Sequence, residues 1–183
     1  MKKVCIIFLL SIIISLTACG FGGVFVKDGG RYASNAQEGS EYLRIHIRAD
    51  SNSNADQAVK YRVRDEVVVF LTPLVAEYPT KAQAIHGIEK NLKNIESVAK
   101  NALQKAGFSY GASAELTTEY FPTRVYGEYT LPAGEYTALI LRLGRGVGDN
   151  WWCVVYPPLC FAGTDTNIVY KSKILEIIKN FKG

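Results

Sequence analysis

From residue 41 the chain settles into strict alternation: Leu43, Ile45 and Ile47 are apolar, while Arg44, His46 and Arg48 between them are polar. Successive side chains on a strand point to opposite faces, so this period of two predicts a half-buried strand. Asp50-Ser51-Asn52-Ser53-Asn54 breaks it with turn and cap residues. From about Ala55 the apolar spacing lengthens, and Val59, Val63, Val67 and Phe70 fall on one helical face, with Asp56 near the start. Pro73 should end or kink this helix near Thr72. Thr80-x-x-Gln83 has the form of a capping box. The helix it opens carries Ile85, Ile88, Leu92, Ile95, Ala99 and Leu103 on one stripe, with Gly107 placed as its C-terminal cap.

Beyond Gly107 the vocabulary changes to Tyr, Thr, Val and Phe, punctuated by Pro122, Gly127, Pro132, Gly134 and the glycines from Gly144 to Gly148. Strands are predicted near 114–121, 136–143 and 152–156, with Gly144 to Gly148 as a glycine-rich hairpin loop. A last helix over 165–183 either docks on the domain or turns an amphipathic face to a partner or membrane. The predicted fold is α+β: a mainly antiparallel sheet of about four strands with two principal helices packed on one face.

Ahead of this body, Lys2 and Lys3 precede an apolar run from Val4 to Leu16 that ends in Thr17 and Ala18. A positive start, a short hydrophobic core and small residues describe a secretory signal over 1–18. The run falls short of the roughly 20 apolar residues of a membrane span, and a retained anchor is the alternative. Leu16-Thr17-Ala18-Cys19 also reads as a lipobox, which would make Cys19 a lipidated first residue held at a membrane surface; an ordinary cleavage site beside a cysteine is the other reading. Residues 19–40, with Gly22, Gly23, Gly29, Gly30 and Gly39, read as a flexible linker. The domain then covers 41–162 and the terminal helix 163–183.

Composition changes this picture in two ways. With 48% hydrophobic and 21% charged residues, the chain carries enough apolar material for one real core. Losing Lys2 and Lys3 with the signal would take 21 basic residues to 19 against 17 acidic, a balance unlike that of a dedicated nucleic-acid binder. Of four cysteines, Cys5 lies in the signal and Cys19 at its end, leaving Cys153 and Cys160 in the body. In an exported chain these two form either a disulfide, with Pro157-Pro158 making the bend, or two separately buried thiols.

Catalytic chemistry is sparse. His46 and His86 are the only histidines, and neither sits in a metal-binding spacing; no G-x-S-x-G is present. Gly144-Arg145-Gly146-Val147-Gly148 departs from G-x-G-x-x-G and leads into a strand, not a helix. Asp65 and Glu66 are adjacent on a helix and point in different directions. No catalytic residue, metal, cofactor, small-molecule substrate or nucleic acid is assigned. What stands out is contact chemistry: Arg44, His46 and Arg48 on the first strand, with Arg124, Tyr126 and Trp151 further on, are the candidate partner-binding residues.

Longer segments carry a resemblance. Phe121-Pro122-Thr123-Arg124, Tyr126-Gly127, Leu131-Pro132-Ala133-Gly134-Glu135-Tyr136 and the block from Asn150 to Phe161 (NWWCVVYPPLCF) resemble the stage II sporulation protein R family. So do Arg44, Ala49, Ser51, Asn52, Ser53, Asp56, Gln57, Lys60, Val63, Arg64 and Asp65 near the start. The resemblance implies an exported signal of endospore-forming bacteria, acting in the space between forespore and mother-cell membranes. Its implied partner is a membrane-embedded aspartic protease of the mother cell, which then processes an inactive sigma-factor precursor. The alternatives are a structural envelope lipoprotein and an extracytoplasmic wall hydrolase using His46 as general base.

Overall fold

The computed structural model describes residues 41–127, 129–161 and 168–181; the signal over 1–18, Cys19 and the linker over 19–40 lie outside them. Along the chain run β1 (Leu43–Arg48), α1 (Asn54–Ala76), α2 (Lys81–Lys105), β2 (Ala112–Phe121), β3 (Arg124–Tyr126), β4 (Tyr129–Leu131), β5 (Gly134–Leu143) and β6 (Asn150–Tyr156), then a 3-10 turn (Leu159–Phe161) and α3 (Ile168–Phe181). Four strands form one sheet in the order β2-β5-β1-β6, and β3 and β4 form a separate hairpin. β1 pairs parallel with β5 and antiparallel with β6, and β2 pairs antiparallel with β5. The sheet is thus mainly antiparallel and α+β, as the sequence pattern predicts.

The apolar half of β1 faces the helices. Leu43, Ile45 and Ile47 pack with Leu139, Leu141 and Leu143 of β5 and Val155 of β6. Val59, Val63 and Val67 of α1 and Ile88, Ile95, Ala99 and Leu103 of α2 cover them. Ser53 caps α1 by accepting from the Asp56 backbone N–H at 3.1 Å, and Thr80 caps α2 by accepting from that of Gln83 at 3.3 Å. Gly107, at a φ of 84°, follows the end of α2 in the left-handed conformation of a helix stop. α3 docks by Ile177, Ile178 and Phe181, whose ring lies 5.2 Å from that of Tyr42, while Leu175 stays half exposed.

Three features depart from the sequence reading. α1 does not stop near Thr72 but continues through Pro73 to Ala76. The carbonyl that Pro73 cannot satisfy belongs to Val69, which is 61% exposed, so it lies on the side of the helix that water reaches. The β3–β4 hairpin was absent from the predicted elements. Finally, the Gly144-to-Gly148 segment is not a hairpin loop, because β5 and β6 are not neighbours. It crosses the end of β1, where Gly148 N–H donates to Ala49 O at 2.9 Å.

That crossing is tight. A Cβ at Gly148 would lie 2.3 Å from the Ser51 carbonyl oxygen, so Gly148→Ala should destabilise the domain by about 1–3 kcal/mol in urea denaturation. An unchanged midpoint would show that the loop yields freely.

Cys153 and Cys160 are joined, with Cα atoms 6.0 Å apart across a bend that begins at the cis Tyr156–Pro157 bond. The disulfide ties the 3-10 turn to β6. For a sequence separation of seven, loss of chain entropy in the unfolded state predicts a contribution of about 2.5 kcal/mol. Denaturation of the Cys153→Ala/Cys160→Ala pair should show that loss, and reductant should have no effect on the double variant.

Candidate interaction face

The opposite half of β1 is not solvated. Arg44, His46 and Arg48 point away from the helices onto a second face, shared with Phe121 of β2, Tyr136, Ala138 and Ile140 of β5, and Trp152 and Val154 of β6. The β3–β4 hairpin covers part of this face through Tyr126, Tyr129 and Leu131. Arg44 and His46 are both 0% exposed, so they do not form a directly accessible contact strip as the alternation suggested. The physical reason is the hairpin: a strand buried on both faces can still alternate when one of its faces is a polar core.

Arg44 sits in an aromatic enclosure. Its Cζ lies 4.3 Å from the centroid of Phe121, 4.8 Å from Tyr136 and 5.6 Å from Tyr126. Its Nη2 donates to the Tyr126 hydroxyl at 2.7 Å, while Nε and Nη1 have no hydrogen-bond partner among the described residues. Burial is the main cause pushing the Tyr126 hydroxyl pKa up, against the opposing pull of Arg44. Tyr126 is thus tied into the face, and its hydroxyl is engaged.

His46 lies between Trp152 and Phe121, ring centroids 4.8 and 5.5 Å away. Burial, then the positive charges of Arg48, Arg142 and Arg44, lower its pKa to about 3. Its Nε2 is 3.1 Å from Glu119 Oε2, but not in hydrogen-bonding alignment, and the same carboxylate is bonded by Arg48. An ion pair already formed offers little further attraction for a second cation, so His46 stays neutral. A fully buried, weakly basic imidazole of this kind is poorly placed to serve as the general base that the wall-hydrolase alternative invokes.

The rim is different. Arg142 pairs with Glu115 at 2.6 Å, and Arg124 lies over Trp152 at 5.6 Å. Trp151 faces the other way, packing towards the helices with Arg64 5.7 Å from its ring. Of the six candidate contact residues, the structure therefore gathers Arg44, His46, Arg48, Arg124 and Tyr126 on one face and places Trp151 on the other. Trp152, which the sequence reading passed over, belongs with the group; strand parity alone puts adjacent tryptophans on opposite faces.

At the end of β1, Asp50 and several of the early residues that carry the family resemblance build a polar joint. Asp50 receives the Arg145 backbone N–H at 2.7 Å and its Nη2 at 2.9 Å, and these bonds hold its carboxyl below the usual range. Asp56 accepts from Ser51, from Ser53 at 2.8 Å and from Tyr110 at 2.7 Å, which likewise lower its pKa. Buried Lys60 donates to Gln57 Oε1 at 2.6 Å and Asp149 O at 2.9 Å. Asp50 and Lys60 thus hold the 144–149 crossing in place, Asp56 ties the start of α1 to Tyr110, and carboxylates so fully engaged are poorly suited to donate protons. Among the described residues no three His, Cys, Asp or Glu side chains converge as a metal site.

A sheet backed by helices on one side, with arginines among aromatic rings on the other, defines an α+β domain with a candidate interaction face. The family model for stage II sporulation protein R matches residues 39–166, and the chain belongs to that family. The stage II sporulation protein R of Bacillus subtilis (strain 168) is 40% identical over 119 residues, covering 65% of this chain and 53% of the relative. The chain thus spans about half the length of that curated relative. No solved structure matches it. The family places the protein in sporulation.

Proposed function

We propose that the domain is an intercompartmental signal: exported from the forespore, it binds a membrane-embedded aspartic protease of the mother cell and favours its active state. The protease then cleaves an inactive sigma-factor precursor. The observation that carries this reading is the family match, which spans all six strands, both long helices and the 3-10 turn, and stops short of α3. The buried and ion-paired state of the polar side chains adds support, because it fits a protein that acts by contact. A ligand shifts a two-state receptor only by binding one state more tightly, so the domain should bind the active protease better than the inactive one. The space between the two membranes, with or without a lipid on Cys19, is the proposed place of action.

The test is precursor cleavage in cells that carry the protease and its substrate, with this chain either exported or absent. Cleavage confined to cells exporting the chain is the expected result. A folded, exported protein that leaves the precursor intact would end the proposal.

A further inference from the structure

The four-stranded sheet has two outer edges, and the chain treats them differently. At β6 it turns back on itself: the Val154 N–H donates to Sγ of Cys160 at 3.1 Å, so the disulfide-held 3-10 turn shields that edge. Beyond β2 no described strand follows. β2 runs for ten residues against β5 in unbroken register, and it has no bulge, lysine or proline, the devices by which edge strands commonly block further pairing.

Two hydrogen bonds fix which backbone groups of β2 look outward. Just before the strand, Gly111 O accepts from the Gly144 N–H at 2.8 Å, so odd-numbered residues turn their backbone inward to β5. The Ala114 N–H points the other way and is taken by Glu96 Oε1 of α2 at 3.1 Å. Backbone direction alternates along an antiparallel pair, so Leu116, Thr118 and Tyr120 also present N–H and C=O groups outward. No hydrogen bond from a described residue occupies them. The next outward position is Pro122, which has no N–H to offer. The free run is therefore closed by Glu96 at one end and by Pro122 at the other, with exposed Thr118 at its centre.

We propose that β2 is the contact of a homodimer, in which a second copy of the chain pairs antiparallel with it about a two-fold axis through Thr118 and joins the two sheets into one. Leu116 exchanges backbone hydrogen bonds with Tyr120 of the second copy, and Thr118 with its own counterpart. Charge and the capped end select this register. Centring the pair on Thr117 would set Glu115 opposite Glu119, and centring it on Glu119 would oppose that residue to itself, so like charges would meet directly. Centring it on Leu116 would call on the Ala114 N–H that Glu96 already holds. About Thr118, Glu119 faces Thr117, Glu115 faces Phe121, and Leu116 and Tyr120 meet on the helix side of the sheet. A strand from a different protein would need no such symmetry, whereas a free run closed evenly about one residue is its own complement.

Sedimentation velocity of the intact exported chain over a range of concentrations should show a monomer–dimer equilibrium. Thr118→Lys sets like charges against each other at the axis and should weaken dimerisation by about fivefold or more, and Thr118→Glu should do the same. Because Thr118 is exposed, both variants should keep the melting temperature of the dilute monomer. Mixing the two sets lysine opposite glutamate and should restore the dimer, a recovery that a merely damaged strand would not give. A chain that sediments as a monomer throughout would overturn the proposal, and so would a dimer indifferent to both substitutions or a mixture that fails to recover. A monomeric chain whose precursor-cleavage activity is nevertheless lost with Thr118→Lys would give the edge to a strand of the protein partner instead of a second copy.

Discussion

Phe121→Ala should cost about 3–5 kcal/mol of folding free energy, the range for truncating a fully buried phenylalanine. Phe121 is completely buried, with its ring 4.3 Å from the Arg44 guanidinium and 4.8 and 5.8 Å from the rings of Trp152 and Tyr136. Removing it takes away apolar contact and also the nearest ring beneath a buried cation, whose desolvation is otherwise poorly offset. Urea denaturation followed by circular dichroism would measure the loss. Because α1 and α2 pack on the opposite side of the sheet, transitions followed by helical signal and by tryptophan fluorescence should shift together. A loss below about 1 kcal/mol would show that the hairpin-covered face contributes little to the fold.

Acid should weaken the protein through His46 before the carboxylates matter. In the folded state its pKa lies at about 3, against 6.5 for an ordinary histidine, so near pH 7 the imidazole is neutral in both folded and unfolded chains. As pH falls below 6.5 the unfolded chain takes up a proton that the folded one refuses, and stability drops by about 1.4 kcal/mol per pH unit. Between pH 6.5 and 4.5 the loss is roughly 2–3 kcal/mol. Asp50, Asp56 and Glu96 act in a lower window, since their depressed pKa values preserve their contribution until pH falls through them. His46→Gln should therefore flatten the stability profile between pH 6.5 and 4.5, whatever its effect at neutrality. A slope identical to that of the unaltered protein would place the proton uptake elsewhere.

The contrast between the two halves of β1 explains which parts of the structure could be read from residues alone. Helix α2 was readable because one of its sides is apolar and the other meets water, so burial and periodicity coincide. In β1 the alternation correctly gives a strand but misstates what lies on its polar side. Arg44 is covered by Tyr126 and Phe121, residues some eighty positions downstream, and no local pattern carries that information. The hairpin that does the covering has three-residue strands, too short to show a period. Pro73 misled for a different reason: a helix tolerates it where the freed carbonyl reaches solvent, and that depends on the packing of the whole helix. The disulfide was within reach of counting, whereas the pairing of Arg124 with Trp152 depends on how the hairpin folds back over β6.

The position of β1 also governs when the domain can form. Arg44 pairs with Ala138 on one side and Val154 on the other, so the first strand of the sheet finds its neighbours only after α1, α2 and β2 have followed it. Contacts that close such long loops are entropically costly and slow to form. A chain emerging amino end first from a ribosome must hold β1 unpaired until β5 has followed it out, and half-paired until β6 has. The sheet is therefore completed from its middle outward in time: its first-made strand is filled in last, once α1, α2 and β2 are already out.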